Sequence, residues 1–420
     1  MNIFQSALLA CAALTALTGI ASAQEARFHY DGDLRLSPET GTLSASWTIT
    51  PHETALTEVS FLLNAALGEA DISGPGVGAV SSELPASFGG MLRAYTIQLE
   101  PSDGGADRRI DIRYAGPLFP EPPASPINTL DPHKVEFTVD SFWMPFDQRF
   151  SSLVTADLDI WLPGDWAGVT MQAIGRTPGG FYIDQDTPAL GLAFTLMADF
   201  QRHEAPGYVI YDTREPAGDN IDALVAALDH CTAYLNDVSG NAGPLPEASI
   251  VVTSRDEGGY SRGTLIALTD IADTGPASMM QFICHELSHY WSHGNAMSVE
   301  NWLNESFADY TAIMGMREAL GEDEYEAFMA RYQRQVDAAT GPLGPVWTPQ
   351  TTERPDFVVA YRKGPLALAR AEALIGREAF ARFIQRAMAE RVATTPDMLD
   401  VFEQVAGAEA RAAFETYLAD

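Results

Sequence analysis

The chain has 420 residues, a formal net charge of −32, and only two lysines, Lys134 and Lys363, among its 25 basic residues. That length allows two or three domains with a sizeable core. The acidic balance excludes nucleic acid as a partner, because phosphate backbones need basic patches; it suits cationic peptides and, more simply, solubility in salty or extracytoplasmic surroundings.

Residues 1–23 read as a secretory signal, with a polar start, an apolar run over 7–20 and the small-residue cleavage site Ala21-Ser22-Ala23. Leu8-Leu9-Ala10-Cys11 faintly matches a lipoprotein box, but the apolar run continues past Cys11, which argues against lipidation. No other run is long enough to span a bilayer. The expectation is an exported bacterial protein, periplasmic or secreted. Cleavage would leave Cys231 and Cys284. An oxidising compartment permits a bridge between them, although two cysteines alone do not show that they meet.

From 24 to 205 the pattern is β-rich. Apolar and polar residues alternate over 41–50, 94–100, 109–114, 134–140, 153–162 and 192–198, with turn signals such as Ser102-Asp103-Gly104-Gly105 and Thr177-Pro178-Gly179-Gly180 between them. The proline-rich 116–132 reads as a loop. A sandwich or saddle of antiparallel strands fits. Beyond about 205 the period changes: a helix over 220–235, strands at 249–253 and 264–269, an apolar helix over 279–291, and then almost only helix to the end, broken by the proline-rich 341–355. Strands first and helices after give an α+β multidomain chain, with domains at 24–205 and 206–420.

Within 279–291 stands His285-Glu286-Leu287-Ser288-His289. At 3.6 residues per turn the two imidazoles lie on one helix face, a spacing that grips one zinc ion, with Glu286 beside them for a water. A catalytic zinc usually has a third protein ligand, and Glu305 is the natural one; Asp309, a turn later, faces the same way and suits a hydrogen bond from a ligand histidine. Cys284 points about 100° away around the helix, toward the core. His293 cannot add a third imidazole, since three histidines four apart span about 12 Å of axis; it is expected as a cation in the last helical turn before Gly294. Gly259-Tyr260-Ser261-Arg262-Gly263 matches the serine-hydrolase elbow, but a strand follows where that elbow needs a helix.

The pair H-E-x-x-H and N-E-x-x-x-D resembles thermolysin and the other gluzincins. More specifically, His285 to Trp291 with Trp302-Leu303-Asn304-Glu305-Ser306-Phe307-Ala308-Asp309-Tyr310 is similar to the membrane alanyl aminopeptidase family, which includes leukotriene A4 hydrolase and typically reads H-E-x-x-H-x-W, then W-L-N-E-G-F-A. Tyr361-Arg362-Lys363-Gly364 resembles that family's Y-x-K-G, and Trp143-Met144-Pro145-Phe146-Asp147 its N-terminal saddle. The likeness implies a β-saddle followed by a thermolysin-like peptidase domain, without the C-terminal helical-repeat domain of many relatives. It implies one zinc ion on His285, His289 and Glu305, with Asn304 and Asp309 behind them, and a peptide or protein substrate.

Two departures matter. The gap from His289 to Glu305 is shorter than usual, and Ser261 and Arg262 stand where the family's G-x-M-E-N has the Glu that binds the substrate's free amine and its Asn neighbour. Glu136, nine residues before Pro145, is the match for the family's other amine-binding position. The resulting expectation is a zinc peptidase, aminopeptidase-like with altered recognition of the substrate N-terminus. Zinc would lower the pKa of a water to about 7 and polarise the scissile carbonyl. Glu286 would serve as base and then acid, Tyr361 would support the oxyanion, and 264–269 would be the edge strand along which the peptide lies. The rivals are a zinc endopeptidase of the same fold and a non-catalytic peptide-binding protein on a peptidase scaffold.

Overall fold

The computed structural model describes residues 26–100, 108–119, 127–150, 152–256, 258–296 and 298–420. The expected signal, the turn at 102–105 and part of the proline-rich loop lie outside them.

Alternation of small or apolar with polar residues builds the first half as an open set of sheets. The largest runs Ala173–Thr177, Gly180–Ala189, Val154–Trp161, Phe28–Ser37, Thr42–Pro51, Ile110–Pro117, Asp71–Ser73, and every second residue of Phe28–Ser37 is buried. The antiparallel expectation has one exception: Phe28–Ser37 runs parallel to Val154–Trp161, in register Phe28↔Val154. Beneath it lies an aromatic core of Phe28, Tyr30, Trp47, Phe61, Phe137, Trp143 and Phe194. The polar tips are paired, as buried indole and phenol groups require: Trp47 Nε1 donates to Tyr114 Oη at 2.8 Å, and Tyr114 Oη donates to the Trp143 carbonyl at 2.6 Å. A smaller sheet holding Lys134–Phe137 faces the second half. There, Val169, Met171, Ala193 and Met197 pack with Val251 and Leu265.

The second half opens with a mixed five-stranded sheet in the order Gln201–Ala205, Tyr208–Asp212, Ala248–Val252, Leu265–Leu268, Tyr260–Arg262. This corrects the expected edge. Leu265–Leu268 is wholly buried between two neighbours, and the edge strand is Tyr260–Arg262, paired antiparallel through Ser261↔Ile266. Two short strands joined by Gly263 read in the sequence as a turn followed by one strand; the hairpin puts the first of them outermost.

Eight α-helices are described: α1 (Ile221–Ser239), α2 (Pro276–Ser288), α3 (Asn301–Leu320), α4 (Glu322–Asp337), α5 (Gly364–Ile375), α6 (Arg377–Ala389), α7 (Thr395–Ala406) and α8 (Ala408–Ala419). Helix α3 is buried nearly all round from Asn301 to Met316 and is the central rod of this half. Its start is fixed from α7: Thr395 donates to Glu300 Oε2 through its backbone N–H at 2.9 Å and its hydroxyl at 2.5 Å, and Trp302 Nε1 donates to Thr395 Oγ1 at 2.9 Å. Cys231 of α1 and Cys284 of α2 form a disulfide, so the residue before His285 is indeed core and not a ligand. No helix among the described residues is long and apolar enough to cross a membrane.

Candidate active site

His285 lies in the last turn of α2, and His289 begins the 3₁₀ turn His289–Trp291 that follows it. Helix α3 crosses them so that Glu305 meets both. The imidazole Nε2 atoms are 3.1 Å apart, and Glu305 Oε2 is 3.6 Å from each. The ligand atoms of His285, His289 and Glu305 all lie within 4.8 Å of one another, and all three residues are buried. Both Glu305 oxygens lack a hydrogen-bond partner. Two imidazole nitrogens face to face beside an unpartnered buried carboxylate are costly unless a cation sits among them. The donor set fits zinc.

The protein groups alone set the local electrostatics. Burial pushes His289 down to about 4, with Glu305 opposing. For His285 burial also lowers, but Asp309 and Glu305 outweigh it and lift the ring to about 10. Burial raises Glu305, and the two histidines overcome that and hold its carboxyl low. Glu286, half-buried one residue past His285, is raised by burial, with a hydroxyl bond from Ser261 opposing. The Tyr361 phenol is raised well above its ordinary value by burial and by the charge of the nearby Glu305. It stays protonated, and its ring stacks on His285 with centroids 5.9 Å apart.

Tyr361 sits in a π-helical turn, Val359–Lys363, that runs into α5. A π turn leaves backbone groups out of the usual ladder, and the Ser306 hydroxyl donates to the Ala360 carbonyl at 2.5 Å. Gly364 makes this approach possible: a Cβ there would stand 1.9 Å from Ser306 Oγ and 2.7 Å from its Cβ. Gly364→Ala is therefore expected to cost about 1–3 kcal/mol by overpacking and to lower kcat by displacing Tyr361. Urea unfolding and steady-state kinetics check it; wild-type values for both would show that the helices part freely.

Other expected residues land unevenly. Asp309 Oδ1 is 3.6 Å from His285 Nδ1, as the helical spacing suggested. Asn304 instead holds the connecting loop, donating to the Gly294 carbonyl at 2.8 Å. Glu136 lies in a closed network, accepting from Arg255 Nη1 at 2.7 Å, Lys134 Nζ at 2.9 Å and Tyr260 Oη at 2.9 Å. Ser261 and Arg262 are both buried. The cationic expectation for His293 fails: α2 ends at Ser288, and burial, then Arg391, push that imidazole down to about 4.

Three residues went unread in the sequence. Gln281 Nε2 donates to Asp309 Oδ1, Tyr332 is hydrogen-bonded to Asp309, and Arg362 Nη1 stands 3.9 Å from its other oxygen. Gln281 is one turn before His285 on the same face, so periodicity alone could have flagged it. Tyr332 arrives from another helix and carries no local signal.

A buried His-His-Glu cluster on two crossing helices, beside a mixed sheet, is the arrangement of a gluzincin-type zinc metallopeptidase fold. The comparisons with known proteins agree. Residues 264–417 match the Peptidase family M1 domain. The structure is similar to the M1 zinc metallopeptidase from Deinococcus radiodurans, with a TM-score of 0.63 at 18% identity over 93% of each chain. It is similar also to native yeast LTA4 hydrolase, with a TM-score of 0.68 at 16% identity over 93% of this chain and 68% of that one. A mutant of the Deinococcus enzyme bound to a Tyr-Ser-Ala substrate superposes with a TM-score of 0.57 at 18% identity over 93% of each chain. The chain has the M1-family zinc metallopeptidase fold, and the expected α+β architecture is borne out.

Proposed function

We propose that the chain is an exported, aminopeptidase-like zinc hydrolase of peptide bonds whose contact with the substrate's N-terminal end departs from that of its relatives. The observation that carries the reading is the convergence of Glu286 and Tyr361 on the buried cluster of His285, His289 and Glu305. These three would hold one zinc ion, which when bound supplies Lewis-acid activation of a water and of the scissile carbonyl. Glu286 takes the proton from the attacking water and delivers it to the leaving amine; a carboxyl raised by burial is better matched to both tasks. Tyr361, protonated throughout, donates a hydrogen bond to the oxyanion. Asp309 orients His285 and is itself fixed by Gln281, Tyr332 and Arg362. An extended peptide pairs with the edge strand Tyr260–Arg262. The similar Deinococcus enzyme's complex with a tripeptide is consistent with this class of substrate.

One observation favours a second reading, a zinc endopeptidase. Glu136 is already neutralised by Arg255 and Lys134, so it is a poor partner for a substrate ammonium. Mass spectrometry of a digested decapeptide separates the two: stepwise loss of N-terminal residues supports the first, internal fragments the second, and no cleavage with zinc bound overturns both. Tyr361→Phe is expected to lower kcat about 10²–10³-fold with little change in KM, as loss of an oxyanion donor does; steady-state kinetics check it. Export is supported by the signal-like residues 1–23 and by the Cys231–Cys284 disulfide, which suits an oxidising compartment. Terminal sequencing of the purified protein should begin at Gln24.

A further inference from the structure

The wall beside Glu286 carries more buried positive than negative charge. On the edge strand, Ser261 sends its hydroxyl to Glu286, and Arg262, only 6% exposed, follows it. The guanidiniums of Arg262 and Arg255 lie 5.1 and 5.7 Å from the centroid of the Tyr260 ring. Counting the buried or half-buried charges of this wall, Lys134, Arg255 and Arg262 face Glu136 and Asp140, three cations against two carboxylates.

The carboxylates are poorly placed to accept anything further. Glu136 takes bonds from Lys134, Arg255 and Tyr260. Asp140 keeps one oxygen unpaired, yet Arg262 Nη2 stands 3.5 Å from the other, and burial pushes the carboxyl toward its neutral form. Arg262 donates through Nη1 to the Ser261 carbonyl at 3.0 Å and through Nη2 to Asp140, whereas Arg255 is under-used. Arg255 bonds through Nη1 alone, and its Nε and Nη2 are buried without a partner. A buried guanidinium edge with free hydrogens is a ready receptor for a carbonyl or carboxylate, and a free ammonium brought here would meet like charge.

We infer that the substrate group received on this wall, next to Glu286, is a hydrogen-bond acceptor, an acyl carbonyl or better a carboxylate, and not a free ammonium, with Arg262 and Arg255 setting the preference. This rests on the zinc-peptidase reading above and names its substrate class: peptides that are N-acylated, above all with an anionic acyl group.

The test is a single fluorogenic peptide made with a free amine, an N-acetyl cap and an N-succinyl cap, assayed on the zinc-loaded full chain. The order of kcat/KM should be succinyl, then acetyl, then amine, with at least about tenfold between the ends. Arg262→Gln should compress the succinyl-to-amine ratio about tenfold, and Arg262→Lys should restore most of it, at unchanged zinc content. A wild-type enzyme fastest on the free amine overturns the inference whether or not the variants fold, as does a folded Arg262→Gln with an unaltered ratio. No turnover of any of the three peptides with zinc bound would instead overturn the peptidase reading itself.

Discussion

Glu286→Gln is expected to lower kcat by about 10²–10⁴-fold while leaving one zinc ion per chain. The side chain keeps its length and can still receive the Ser261 hydroxyl bond, but an amide cannot take a proton from water. It is not one of the three residues whose ligand atoms cluster within 4.8 Å, so the metal should stay. His289→Ala is the contrasting case: it removes one imidazole of the pair 3.1 Å apart, and activity should fall together with zinc content. Parallel kinetics and elemental analysis on the two variants separate base from ligand. Glu286→Gln hydrolysing at the wild-type rate would remove that residue from the chemistry.

Why so much of this centre was readable follows from where its parts lie. His285, Glu286 and His289 sit within five residues of one helical stretch, and Glu305 and Asp309 are one turn apart on the next, so helical periodicity alone aligns them. Tyr361 needed family resemblance, because it comes from a distant segment and its orientation depends on a π turn that leaves no mark on apolar spacing. Tyr332 and Arg255 were illegible for a stronger reason: their partners, Asp309 and Glu136, are distant in sequence, and only the tertiary fold joins them. The same holds for the edge strand. Apolar pattern identified Leu265–Leu268 as a strand, but which of two hairpin partners lies outermost is settled by the long-range parallel pairing of Leu265–Leu268 with Ala248–Val252. The fold class itself was legible because period 2 dominates up to about residue 205 and period 3.6 beyond it.

The largest stability effect is expected from the disulfide. Replacing both Cys231 and Cys284 by Ala removes a link between residues 53 apart, which constrains the unfolded chain by about 4 kcal/mol in the loop-entropy account. The bond also ties the helices that carry the site. Cys284 precedes His285 on α2, and α3 passes so close that a Cβ on Gly315 would lie 2.7 Å from the Tyr234 ring and 3.4 Å from Cys284 Sγ. His230 of α1 is hydrogen-bonded to the Gly315 carbonyl at 2.9 Å. Helices α1, α2 and α3 therefore meet at the bond, and loosening it frees α2 to move against the helix that supplies Glu305. The double variant should melt about 10 °C lower. It should also lose zinc to a chelator faster than the wild type, while folding and binding zinc at room temperature. A thiol reductant should reproduce both changes in the wild type and neither in the variant, since no other cysteine lies in the chain beyond Cys11. Equal melting temperatures would show that helix packing alone holds the three together; equal zinc release would show that the ligands do not feel the bond beside them.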